Sequence, residues 1–406
     1  MNRVAIIGGG AAGIFSAIIA ARNGAEVVIY EKTNRVGKKI LATGNGRCNY
    51  TNRNILKENY HGEWKKTTDE VFNIFSSDDV LEFFDELGIL PYEGDDGKIF
   101  PRSLQASSVL DVMRYELERL GVEEKIDTEV VKLRKMKDEF DIITKNEIYV
   151  ADNVIICTGG MAGSQFGCDG SGYKLAADFG IEKTTIFPAL VQLKCDNNFL
   201  SKISGVKFNG LASLHCNDEK IVERFGEILF TDYGISGPPI LQISRHANEF
   251  INQGKSVKLF LDFFSEYTEK ELFGILRSRF TNDKKISDAM IGLINKKMIS
   301  VILKNSINDY KNKSNLSNLE IKSIVHALKN FELKVIGSKT WNQAQTTAGG
   351  IKVCEINPST MSSTKINGLF FAGEILDIDG DCGGFNLQWA WSSAYIAGIN
   401  AAYNIE

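Results

Sequence analysis

The chain has 406 residues, 43% hydrophobic and 24% charged, with a net charge of −4 and both signs interspersed. That length exceeds what one core usually organises, so two or three domains are expected. The charge gives no general attraction to nucleic acid or to an anionic membrane. The seven cysteines form no CxxC pair and the four histidines are scattered, which argues against dithiol chemistry and against a metal centre.

The apolar run at the start is broken by glycines after Ile7, so it does not read as a signal peptide, and a reducing cytoplasm is the expected location. Val4 to Ile7 reads as a buried strand, Gly8, Gly10 and Gly13 supply a GxGxxG spacing, and Ile14 to Arg22 reads as a helix. Gly8 permits the tight turn, Gly10 lets backbone approach a pyrophosphate, and Gly13 lets the helix lie close on the sheet. Ala11 and Ala12 sit where the helix N-terminus offers N–H groups to phosphates. A second strand, Glu26 to Tyr30, leads to Glu31 and Lys32; Glu31 stands where a carboxylate accepts hydrogen bonds from an adenosine ribose and repels a 2′-phosphate.

Residues 32–52 are rich in Gly, Asn and basic side chains and read as a loop crossing a ligand. Lys38, Lys39 and Arg47 would neutralise pyrophosphate there, and Gly44 would let backbone pass close to a flat ring; a solvated basic loop is the plain alternative. Helical spacing recurs over 67–87 and 107–120, with a hairpin between them. Three short strands follow, Lys125 to Leu133, Glu139 to Thr144 and Ile148 to Val150, with backbone at 129–131 placed to contact adenine. The strand Val154 to Cys157 then ends in Thr158, Gly159 and Gly160, suited to a second close approach to a cofactor.

From 189 to 264, short apolar runs alternate with turn residues, which reads as a barrel or sandwich. Its loop at 231–247 contains Tyr233 and either faces the ligand or merely connects strand to helix. Residues 265–335 read as helical and polar, with a mobile Lys/Asn/Ser-rich link at 305–318. Glycine-rich sequence returns at 336–406, with a strand ending at Ala372, a Gly373-Glu374 turn, an acidic loop containing Asp377, Asp379 and Asp381, and a last helix after Gly384. That final apolar stretch contains Asn386, Gln388 and Ser392, so it reads as a buried helix and not as a membrane span. The aspartates order the loop more simply than they bind a metal.

These parts together indicate FAD. An extended FAD needs a second site beyond one Rossmann turn: Glu374 would accept from ribityl hydroxyls, and Gly384 and Phe385 would present N–H groups that stabilise charge on reduced flavin. The strings GGGAAG, KILATGNGRCNYTN, FPRS, CTGG, GISGP, TTAGGI and GLFFAGEILDIDGDCGGFNLQWAWSSA resemble the BaiN-like flavoproteins, the aminoacetone-oxidase-like FAD-dependent oxidoreductases. The resemblance implies an α/β Rossmann-like FAD domain in two parts, 1–188 and 336–406, interrupted by a β-barrel-like insert at 189–264 and a helical domain at 265–335. It also implies FAD contacts at Gly8, Gly10, Gly13, Glu31, Lys39, Gly44, Asn45, Val130, Gly159, Gly373, Glu374, Gly384 and Asn386.

The expected activity is hydride transfer between flavin N5 and a small organic substrate, with NAD(P)H as a transient reductant because no second GxGxxG is present. An amine oxidase using oxygen, a flavin-dependent tRNA-modifying enzyme and a non-catalytic flavoprotein scaffold remain as alternatives. No acid or base stands out; Tyr233, Arg102, Arg47 and Cys48 lie in motif loops, and Cys48 reads either as a packed small residue or as a reactive thiol.

Overall fold

The computed structural model describes residues 2–280, 285–308, 310 and 315–403, and part of the link expected at 305–318 lies outside the described residues. The chain divides into two compact units, residues 1–188 with 345–406, and residues 189–344.

The first unit is built on a five-stranded parallel sheet. Its strands are β1 (Arg3–Ile7), β2 (Glu26–Tyr30), β3 (Glu123–Lys125), β4 (Asn153–Ile156) and β5 (Leu369–Phe371), in the order β5-β4-β1-β2-β3. β1 and β4 are short apolar runs because both faces of the sheet are covered. Helix α1 (Ala11–Arg22) follows β1, and helix α2 (Phe385–Ala402) closes the chain. Both are apolar nearly all round, as helices enclosed by other elements must be. They meet through small residues: a Cβ on Gly398 would come 2.8 Å from the Ser16 carbonyl oxygen, and Ser16 Oγ donates to the Ala394 carbonyl at 3.2 Å.

The single strand expected over 125–133 is two strands in different sheets. β3 joins the parallel sheet, whereas Val130–Lys135 joins an antiparallel sheet with Phe140–Thr144 and Ile148–Ala151. The break falls at Asp127, whose φ of +51° turns the chain, and the N–H groups of Asp127 and Thr128 donate to the carbonyls of Thr33 and Glu31 at 3.0 and 2.9 Å. The chain is thereby carried across the end of β2.

The second unit is a closed six-stranded antiparallel barrel with helices packed on it. Its last strand, Phe331–Ser338, pairs with both Val257–Asp262 and Leu193–Cys195, so residues assigned from sequence to the helical segment and to the second nucleotide part close the barrel instead. Phe331, Leu333 and Val335 alternate inward there and share one apolar core with Leu272, Leu276, Ile302 and Ile324 from the helices. Among the described residues the helices form no core of their own. Among the described residues no helix is long and apolar enough to cross a membrane.

Candidate functional site: a cleft between two helix N-termini

A cleft of about 1310 Å³, including the open space at its mouth, runs through the first unit. At one end lies the turn after β1. Gly8 has φ +101°, and a Cβ on it would stand 2.8 Å from the Cys157 carbonyl oxygen. A Cβ on Gly13 would overlap the Gly8 carbonyl oxygen, so α1 lies directly on the turn. Gly13 therefore shapes the cleft without lining it. Gly8, Gly10, Ala11 and Ala12 do line it, and a Cβ on Gly10 would meet nothing within 4 Å. The first N–H groups of α1 have no helical acceptor and are free for a phosphate.

Glu31 is fixed beside this turn. Its Oε2 accepts from the Gly9 N–H at 2.9 Å and its Oε1 from the Thr33 N–H at 2.8 Å, which leaves lone pairs for ribose hydroxyls. Thr128, Glu129 and Val130 add the wall expected to face adenine. Lys32 also lines the cleft, but its ammonium pairs with Asp169 at 2.7 Å.

Lys39, Thr158, Gly159, Gly373, Glu374 and Asn386 line the rest. Glu374 Oε1 accepts from the Thr347 N–H at 2.7 Å, and its Oε2 pairs with Lys39 Nζ at 2.7 Å. Burial opposes the Lys39 charge, yet Glu374 beside it more than offsets this and holds the lysine above its usual range. Gly373 has φ +80°, and a Cβ on it would lie 2.7 Å from the Ala12 Cβ. The Asn386 side chain accepts from the Gly380 N–H and donates to the Gly380 carbonyl, both at 2.8 Å, which ties the acidic loop to the first turn of α2. Asn386 and Leu387 bring that helix N-terminus to the same cleft that α1 reaches. Two positive helix ends on one cleft, with a carboxylate at each end, suit a diphosphate flanked by two polyhydroxyl groups. FAD fits this donor set, and Thr346 on the wall has a buried Oγ1 without a hydrogen-bond partner among the described residues.

Several expected contacts stand back from the cleft. Gly160 packs against Thr347, where a Cβ would overlap the threonine hydroxyl, and Gly384 takes φ +93° against the Thr51 carbonyl. Phe385 is buried against Tyr60, ring centroids 6.0 Å apart. Asp379 is buried in a short ladder opposite His61. Gly44 and Asn45 both have left-handed φ, 56° and 55°, in a tight turn whose asparagine faces solvent. Arg47 and Arg102 lie over the rings of Phe100 and Tyr92 at 4.9 and 5.4 Å, and Tyr233 belongs to the second unit beneath the Lys339 ammonium. Cys48 is fully buried, and burial pushes its thiol up to about 12, which is the packed and not the reactive state. Of the three loop aspartates, Asp377 is pushed up to about 6 by burial, and Asp381 Oδ1 lies 3.1 Å from His61 Nε2. Among the described residues no three His, Cys, Asp or Glu side chains are grouped to hold a metal.

One wall, formed by Phe166, Gly167, Cys168 and Ser171, has no counterpart among the contacts expected from the sequence. Its signal was the repeated glycine at 163, 167 and 170, all with positive φ. Burial raises the Cys168 thiol, with Lys39 only partly opposing.

The family described as HI0933-like protein Rossmann domain matches residues 2–400. A protein of Clostridium scindens named 3-dehydro-bile acid delta(4,6)-reductase is 38% identical over 409 residues, covering 99% of each chain. One of Haemophilus influenzae named ribosomal RNA dihydrouridine synthase is 27% identical over 402 residues, covering 97% of each. Among solved structures, the 3-ketosteroid delta1-dehydrogenase of Sterolibacterium denitrificans superposes with a TM-score of 0.51 over 99% of this chain and 100% of the other, at 11% identity, a likeness of fold alone.

Proposed function

The chain belongs to the HI0933-like Rossmann family and is an FAD-dependent oxidoreductase, and from that premise we propose that it saturates a carbon–carbon double bond conjugated to a carbonyl in a small organic substrate. The observation that carries this reading is the full-length likeness, at 38% identity, to a protein named as a delta(4,6)-reductase. The other relative's named product, dihydrouridine, also arises when a double bond conjugated to a carbonyl is saturated.

Bound FAD supplies the hydride chemistry at N5. The chain's own part is binding and electrostatics. The α1 N-terminus and Lys39 would hold the diphosphate, and Glu31 would hold the adenosine ribose. Glu374 would orient the ribityl chain, and the first turn of α2 would present its positive end to the flavin ring. NAD(P)H, lacking a cradle of its own, would deliver its hydride transiently, and the reducing cytoplasm is the natural setting for such a donor. Purified protein showing flavin absorbance is made anaerobic and mixed with NADH or NADPH, then with 2-cyclohexenone. Bleaching by one nucleotide and return of colour with the enone are expected. Bleached flavin that no enone reoxidises under nitrogen would end the reductase reading, and failure to bleach with either nucleotide would end the NAD(P)H assignment.

A second reading takes a uridine in ribosomal RNA as the substrate. Residues 189–344 contain 22 Lys and Arg against 16 Asp and Glu, so the second unit is basic although the whole chain is acidic. Salt-sensitive binding of a ribosomal RNA transcript at 50 mM salt would favour it, and absence of binding there would exclude it (the ionic conditions being of the order at which phosphate contacts dominate, about 50 mM).

A further inference from the structure

We infer that the second unit holds a separate binding site for an amphipathic organic monoanion, in a cleft between the start of the barrel strand Lys207–Cys216 and the turn leading into the helix Lys296–Ser306. The cleft measures about 700 Å³ with its open mouth, and Val206, Phe208, Phe263, Leu293, Ile294 and Met298 form its walls. Lys207, Gly292 and Asn295 complete the lining, with no carboxylate among them.

The cleft is held open by the core behind it. Phe208 and Phe263 lie 4.3 Å apart, ring centre to ring centre; Phe208 also stacks on the fully buried Phe230 at 5.8 Å, and Phe263 meets Phe331 edge-on at 5.7 Å. These rings cannot turn inward to fill the space without vacating a packed core. Phe208, Phe263, Leu293 and Ile294 are consequently left half-buried, and an apolar occupant would cover them.

Lys207 lines this cleft, and Lys297, outside its lining, stands next to the segment that leads into Val206. Lys207 pairs with Glu227 at 3.0 Å, but both side chains are more than half exposed, so the pair is weak and a ligand anion can replace it. Lys297 Nζ donates to the Ser204 carbonyl at 3.0 Å, which keeps a second cation beside the segment containing Val206. A neutral apolar molecule would make no use of these cations. A polyanion could not bring its charges into six apolar walls. An apolar body ending in one carboxylate or sulfonate satisfies both features.

The test uses the FAD-loaded protein and decanoate, kept below its micelle concentration and titrated calorimetrically, with hydrogen exchange followed by mass spectrometry to locate it. Saturable one-to-one binding is expected, with slowed exchange at 206–208 and 292–298. Lys207→Glu, an exposed change, should weaken binding at least tenfold, and Leu293→Glu, on the half-exposed wall, should do the same; flavin content should stay unchanged in both. No saturable binding below about 1 mM, affinity in either variant equal to the parent's, or protection confined to other segments would overturn the assignment.

Discussion

Glu31 offers a graded test of the nucleotide end of the cleft. In Glu31→Ala the N–H groups of Gly9 and Thr33 lose their carboxylate acceptors at 2.9 and 2.8 Å. Each such charge-assisted bond contributes about 1.5–3 kcal/mol when protected from solvent, but the cleft is open and water can replace the carboxylate in part. A net loss of about 2 kcal/mol follows, which for a unit of this size lowers the melting temperature of the apoprotein by about 4–8 °C. Glu31→Gln keeps one acceptor oxygen and should lose about half as much. FAD affinity, read by fluorescence quenching on titration into apoprotein, should fall about 10- to 100-fold in the alanine variant, because the ribose hydroxyls lose their acceptor as well. Unchanged melting and unchanged affinity in both variants would refute the role given to this carboxylate. Equal losses in Gln and Ala would mean that charge, and not the number of acceptors, is what matters there.

Lys39→Ala removes the cation paired with Glu374; FAD should bind about tenfold more weakly and its affinity should depend less on salt, as measured by titration at two ionic strengths. Gly13→Ala drives a methyl group into the Gly8 carbonyl, and the purified variant should contain little or no flavin by its absorbance ratio. Asp377 is 4% exposed, and burial raises it from 3.8 to about 6. The folded state therefore holds that proton more tightly than the unfolded one. The stability it contributes is fully present below pH 4 and is lost as pH rises through about 6. Asp377→Asn should raise the melting temperature at pH 8 and flatten its dependence between pH 4 and 7, and a variant as pH-dependent as the parent would count against this. Native-state labelling with iodoacetamide should modify the exposed Cys354 and leave Cys48 untouched, and denaturation should release all the flavin.

The sequence by itself determined the nucleotide cradle. The spacing of Gly8, Gly10 and Gly13 between an apolar strand and an apolar helix is a local requirement: each glycine answers a clash or a turn within a few residues. Glu31 follows from the length of the helix and the next strand. The last helix and the Gly373-Glu374 turn were legible for the same reason.

Tertiary structure decided which of the remaining glycines and polar groups face the cleft. Gly160, Gly384 and Asp379 meet Thr347, Thr51 and a strand opposite His61, partners that lie far away in sequence. These three positions therefore belong to the packed support of the cleft, while Thr158, Gly159, Gly373, Glu374 and Asn386 of the same strings form its wall. Phe166, Gly167, Cys168 and Ser171 line the cleft because positive-φ glycines bend the chain there, a path that composition does not specify. The strand Phe331–Ser338 was hidden after a long helical stretch, since closing a barrel depends on a pairing with Leu193–Cys195 more than a hundred residues earlier. The basic character of residues 189–344 was present in the sequence throughout, but it acquires meaning only once those residues are known to form one unit. Local sterics and hydrogen bonding act over a few residues and can be read along the chain; burial, shared cores and the facing of one segment by another depend on contacts that only the folded chain makes.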